Sequence, residues 1–137
     1  MTSTKIDMNH SRIARIQDLD ELAAVLFPGN KNHQKTFLVV FVELKWSPDQ
    51  FLPAIEPIAD KHGISRRTLE TVRAKMRRLG LIDHVSRFNR RHGYREGWVF
   101  SNKFARSLKT MAHLNDSLRE CRNPNQERKD LNSLSYL

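Results

Sequence analysis

Two stretches of helical periodicity in this chain are separated by only three residues, Gly63-Ile64-Ser65. This break limits the available folds more than any other feature. Gly63 takes the positive φ that ends a helix at little steric cost. Ser65 is a good N-cap, and Ile64 and Leu69 stand at the N′ and N4 positions of a hydrophobic staple. Pro57 suits the first turn of the preceding helix, where its missing N–H needs no partner, and that helix is expected to run to about His62. The following helix is expected to reach Leu79 and stop at Gly80.

The surrounding pattern gives further elements. Residues 1–16 are weakly patterned. Residues 18–27 read as a short helix, capped by Asp18, with Leu19, Leu22, Ala23 and Leu26 at helical spacing and Pro28-Gly29-Asn30 as its stop. The run Phe37-Leu38-Val39-Val40-Phe41-Val42 has a strand's composition, but the length of segment 31–45 favours a buried helix. Pro48 and Pro53 make 47–55 turn or short extended chain. Residues 81–85 and 97–100 read as two strands around a basic loop. Ser101 can cap a last helix carrying Phe104, Leu108, Met111 and Leu118 as one apolar stripe. From about Glu120 the chain is polar and unpatterned, which reads as a flexible tail.

Composition bears on partner and compartment. Hydrophobic residues make up 39% and charged residues 28%, ordinary values for a globular protein. The longest apolar run is six residues, far short of the roughly 20 needed to span a membrane. The first residues lack the apolar stretch of a signal peptide, and the single Cys121 reads as a reduced thiol, so a cytoplasmic location is expected. The formal net charge is +9. Residues 61–95 hold eleven Lys/Arg against two acids, Glu70 and Asp83, while the remainder carries 13 of each sign. The whole excess is thus focused on one segment, which favours a polyanionic partner.

The segment Ala59-Asp60-Lys61-His62-Gly63-Ile64-Ser65-Arg66-Arg67-Thr68-Leu69-Glu70-Thr71-Val72, followed by Arg78-Leu79-Gly80-Leu81-Ile82, resembles the winged helix-turn-helix superfamily. The order helix, short strand, helix, turn, helix, strand, wing, strand, helix resembles it too. The likeness covers about 32–118. It implies a mainly α fold with a small β-wing; an extension, 1–31, with one short helix precedes the matched region, and the polar tail, 119–137, follows it. It also implies that the second helix of the motif enters a DNA major groove and that the wing meets the backbone or minor groove.

On a wheel of about 100° per residue, Leu69, Val72, Met76 and Leu79 fall on one side as core. The other side displays Arg67, Glu70, Thr71, Ala74, Arg77 and Arg78. Arg67 and Thr71 are the base-reading candidates: arginine pairs bidentately with guanine, and threonine offers a hydroxyl and a methyl. Glu70 either accepts from cytosine or pairs with a neighbouring arginine, and the pairing is the better reading. Arg66 and Arg67 in a first turn oppose the helix dipole, and a phosphate beside Ser65 would offset that cost. In the wing, Arg87, Arg90, Arg91 and Arg95 are candidate backbone contacts, Gly93 allows the turn, and Phe88 and Tyr94 read as packing between its strands. Trp98 reads as core, and Lys103 and Arg106 as candidates for additional backbone contacts.

No phosphate-binding glycine loop, His-Glu-x-x-His or cysteine pair occurs, and the six histidines are scattered. Neither an enzyme nor a cofactor or metal is therefore expected. The expected function is sequence-specific binding of double-stranded DNA by a transcriptional regulator. Its rivals are a replication initiator or a partition or architectural protein of a plasmid, virus or mobile element, and an RNA-binding or scaffolding winged helix. Symmetric half-sites make a homodimer the expected form. The stripes Leu22/Leu26 and Leu108/Met111/Leu118 serve either that interface or internal packing.

Overall fold

The ambiguous apolar run 37–42 lies inside a helix. Asn30 caps it by accepting from the His33 N–H at 3.0 Å, and Thr36, Phe37, Val40 and Leu44 are buried at helical rather than alternating spacing. The computed structural model describes residues 3–90, 93–120 and 123–136, without the side chains of Arg87 and Asn89. In chain order it comprises α1 (His10–Ala14), α2 (Leu19–Leu26), α3 (Lys31–Lys45), a 3-10 turn (Pro48–Gln50), β1 (Phe51–Leu52), α4 (Glu56–His62), α5 (Arg66–Leu79), β2 (Ile82–Asn89), β3 (Gly93–Phe100), α6 (Lys103–Arg119) and α7 (Pro124–Leu134). The architecture is mainly helical with a small antiparallel sheet of order β1-β3-β2. The chain divides into two compact units, Met1–Lys103 and Phe104–Leu137.

The core of the first unit is built on α3. Phe37 packs against Phe27 and Phe41, with ring centres 5.6 and 5.8 Å apart, and Phe41 against Phe100 at 5.1 Å. Leu69, Val72 and Met76 of α5, Ile58 and Ala59 of α4, and Ile82 of β2 are buried around it. Each of the larger side chains contributes about 1.5–3 kcal/mol by leaving water. The N-terminal segment takes part: Ala23, Val25, Leu26 and Phe27 are buried, and the Asp7 N–H donates to the Val25 carbonyl at 2.8 Å. Leu26 is therefore occupied by packing within its own unit.

Gly63 and Gly80 end α4 and α5 in left-handed conformations, φ 65° and 87°. The β2–β3 ladder is longer than expected. It continues from Ile82↔Phe100 through His84↔Trp98 and Phe88↔Tyr94 to Asn89↔Gly93. Most of the expected loop is thus paired strand, because residues 86–88 and 94–96 sustain cross-strand pairing whatever their charge. Phe88 and Tyr94 are opposite one another but exposed. Their neighbour across the ladder is each other, and no core covers them. Gly97 is required by a close approach: a Cβ there would lie 2.4 Å from the Leu52 carbonyl oxygen and 2.8 Å from the Phe51 ring.

In the second unit, α6 and α7 bury none of their described residues. Ser101 marks the start of α6, its hydroxyl accepting from the Lys103 N–H at 3.2 Å. Residues 124–134, read as irregular, are helical. Asn123 caps them by accepting from the Gln126 N–H, and Pro124 occupies the first turn, a start signal overlooked in a polar sequence. No helix among the described residues is long and apolar enough to cross a membrane.

Candidate nucleic-acid interface

The outer face of α5 is set by its N-terminal cap and its inner stripe. The Ser65 hydroxyl oxygen accepts from the Thr68 N–H at 3.1 Å. With Leu69, Val72 and Met76 buried on one side, Arg66, Arg67, Glu70, Thr71, Arg77 and Arg78 are exposed on the other. Arg66 lies 3.6 Å from Asp60, with both side chains about three-quarters exposed, so that pair contributes little. Glu70 accepts from the Arg73 guanidinium at 3.2 Å, the pairing favoured from sequence. Thr71 donates its hydroxyl to the Arg67 carbonyl at 3.0 Å. That leaves its methyl and its oxygen lone pairs for a partner.

The hairpin β2–β3 is fastened to α5 through Trp98. Its ring, 8% exposed, has the Arg73 guanidinium at 5.0 Å and that of Arg77 at 5.9 Å. His84 meets the same indole edge-on at 4.9 Å, and its Nε2 lies 3.4 Å from Glu96. Sequence reading missed Arg73, since nothing short of the Trp98 position reveals a cation–π partner. At the sheet end, Lys103 donates to Asp83 at 2.9 Å. That bond, before the Coulomb attraction of the same lysine, holds the Asp83 carboxyl below its ordinary range.

The two hairpin arginines whose side chains are described, Arg90 and Arg95, are not equivalent. Arg90 is exposed at the turn. Arg95 is half-buried, 4.3 Å over the Phe51 ring and 3.6 Å from Asp49. The backbone of Arg87 pairs with Arg95, but its side chain lies outside the described residues, as do Arg91, His92 and Cys121. Lys103 is committed to Asp83, while Arg106 is exposed on α6.

A second missed residue is Lys75, buried on the inner side of α5. Its place three residues after Val72 and beside Met76 put it on the apolar stripe, which was the available signal. Among the described residues no group of three His, Cys, Asp or Glu is placed to hold a metal ion. No family model, curated protein or solved structure matches this chain.

Proposed function

We propose that the protein is a winged helix-turn-helix that binds double-stranded DNA in a sequence-dependent way, as a transcriptional regulator does. In this reading α5 lies in the major groove and the β2–β3 turn against the backbone or minor groove. The observation that carries it is the outer face of α5. Arg67 and Thr71 are exposed in its N-terminal half, where such helices meet base edges. The only acid beside them on that helix, Glu70, is already engaged by Arg73. The order α3, β1, α4, α5, β2, β3, with β1 added to the hairpin, supports the fold assignment.

Fluorescence-anisotropy binding of the whole chain to duplex DNA, duplex RNA and single strands over a salt series tests the proposal. Duplex DNA should bind tightest, with an affinity that falls steeply with salt. Equal or better binding of duplex RNA would remove the major-groove reading, because the A-form major groove does not admit a helix.

A second copy of the chain completes the reading. Phe104, Leu108, Met111, Asn115 and Leu118 follow one another at alternating intervals of four and three, the spacing of a helix-pair seam. Met111 and Leu118 are 60% and 54% exposed. A polar Asn115 inside such a seam suits fixed register between two identical helices. Sedimentation should show a dimer that Met111→Glu converts to monomer, while an unchanged mass would remove α6 from the interface.

A further inference from the structure

Lys75 is the only buried charged side chain among the described residues, at 7% exposure. Its ammonium donates to two backbone carbonyls, Leu26 at 2.5 Å and Lys5 at 2.6 Å, and lies 4.5 Å from the centre of the Phe27 ring. All three partners are neutral, and no carboxylate pairs with it among the described residues. A buried cation without a counter-ion is costly, and burial alone pulls its pKa below the ordinary lysine range. An ammonium has three N–H donors, and two are used.

A cavity of about 190 Å³ opens beside it, lined by Ser3, Lys5, Asn30, His33, Thr71 and Lys75, with Phe27 and Pro28 as an apolar wall. Sites that enclose whole drug-sized molecules measure roughly 300–1,000 Å³. This one has room for a single small group. Its polar lining brings two lysines and a histidine together and contains no acid. Thr71 belongs to the exposed face of α5, so the mouth of the cavity adjoins that face.

We infer that this cavity seats one phosphate group, held by the third N–H of Lys75 together with Lys5 and His33. The anion supplies the counter-charge that Lys75 lacks. The phosphate belongs either to a nucleic-acid backbone or to a free phosphorylated compound, and the opening beside Thr71 favours the backbone. Only this choice of source rests on the DNA-binding reading.

Thermal unfolding of the full chain in inorganic phosphate, against chloride at equal ionic strength, tests the seat without DNA. Wild type should gain a few degrees in Tm, as selective binding to the folded state requires. Lys75→Met should gain nothing, and Lys5→Ala and His33→Ala distinctly less than wild type. The two latter variants decide the matter if Lys75→Met does not fold. No gain in wild type, or an equal gain in all four proteins, overturns the inference. Duplex DNA then identifies the source: a several-fold loss of duplex affinity in Lys5→Ala, with inorganic phosphate competing against duplex, assigns the seat to the backbone. A Lys75-dependent Tm gain with duplex affinity unaltered assigns it to a free phosphorylated compound. If wild type binds no duplex at all, the functional reading fails while the phosphate titration still stands.

Discussion

The guanidinium of Arg73 lies over the indole of Trp98 at 5.0 Å, joining the middle of α5 to the C-terminal half of β3. Through this stacking a helix and a strand 25 positions apart in the chain act as one support for the basic surface. Removing the ring leaves a void that Arg73, Arg77 and His84 all border. Trp98→Ala is expected to cost about 3–5 kcal/mol, the usual range for a large buried aromatic. Urea unfolding measures it, and a loss under about 1 kcal/mol would show that the hairpin does not depend on this ring.

Gly97 faces the other side of the same strand. Alanine there would set a Cβ 2.4 Å from the Leu52 carbonyl oxygen, so β1 must move away from β3. Gly97→Ala is expected to destabilise by about 1–3 kcal/mol, as overpacking does. Slowed amide exchange at β1 in the variant would contradict the expected displacement.

Acid should loosen the junction between α3 and α4. Glu43 of α3 accepts from Lys61 at 2.8 Å and lies 2.9 Å from His62 Nε2, and the Lys61 bond first, then His62, holds its carboxyl below the ordinary value of 4.5. A folded-state pKa below the unfolded one adds stability that is fully present above 4.5. That stability is lost as the pH falls through the lower, folded value. Glu43→Gln should lose that contribution at neutral pH, approach wild-type stability in acid, and so flatten the stability profile below about pH 5. An unchanged acid limb in the variant would assign the slope to other carboxylates.

Arg67 separates base reading from charge. On a selected duplex, Arg67→Ala should cost about 1–3 kcal/mol of binding free energy, with much less lost on random sequence. A uniform loss on both would make Arg67 a phosphate ligand.

The turn of the hairpin should behave in the opposite way. Alanine at both Arg90 and Arg91 is expected to weaken binding to all sequences and to lower the salt slope by about one for each phosphate no longer neutralised. Arg95→Ala should matter less for DNA, because Arg95 is already held by Asp49 and Phe51. Identical salt slopes in wild type and the double variant would take the turn out of the interface.

Where local chemistry decides the conformation, the sequence was readable. Asp18, Ser65, Gly63 and Gly80 act as caps and stops where their side chains or their freedom in φ indicate. The apolar stripe of α5 followed from spacing alone. What stayed hidden depends on distant neighbours. The strands outran their apolar residues because pairing, not composition, extends β2 and β3. The burial of Lys75 is legible from its place on the apolar stripe, but its partners, Lys5 and Leu26, lie 70 and 49 residues away and are not. In the sequence Arg95 looks like its charged neighbours, while its commitment to Asp49 depends on a turn in which Asp49 and Gln50 adopt φ 58° and 51°, a conformation uncommon outside glycine.

The pairing of β1 with β3 also has a temporal side. Phe51 meets Val99 and Leu52 meets Trp98, so the first strand must wait while α4, α5 and β2 are synthesised before its partner exists. Helices close contacts within a few residues and form early, whereas this union carries the loop-closure cost of the whole intervening segment. On a ribosome the strand edge of Phe51 and Leu52 therefore stays unpaired until β3 has emerged.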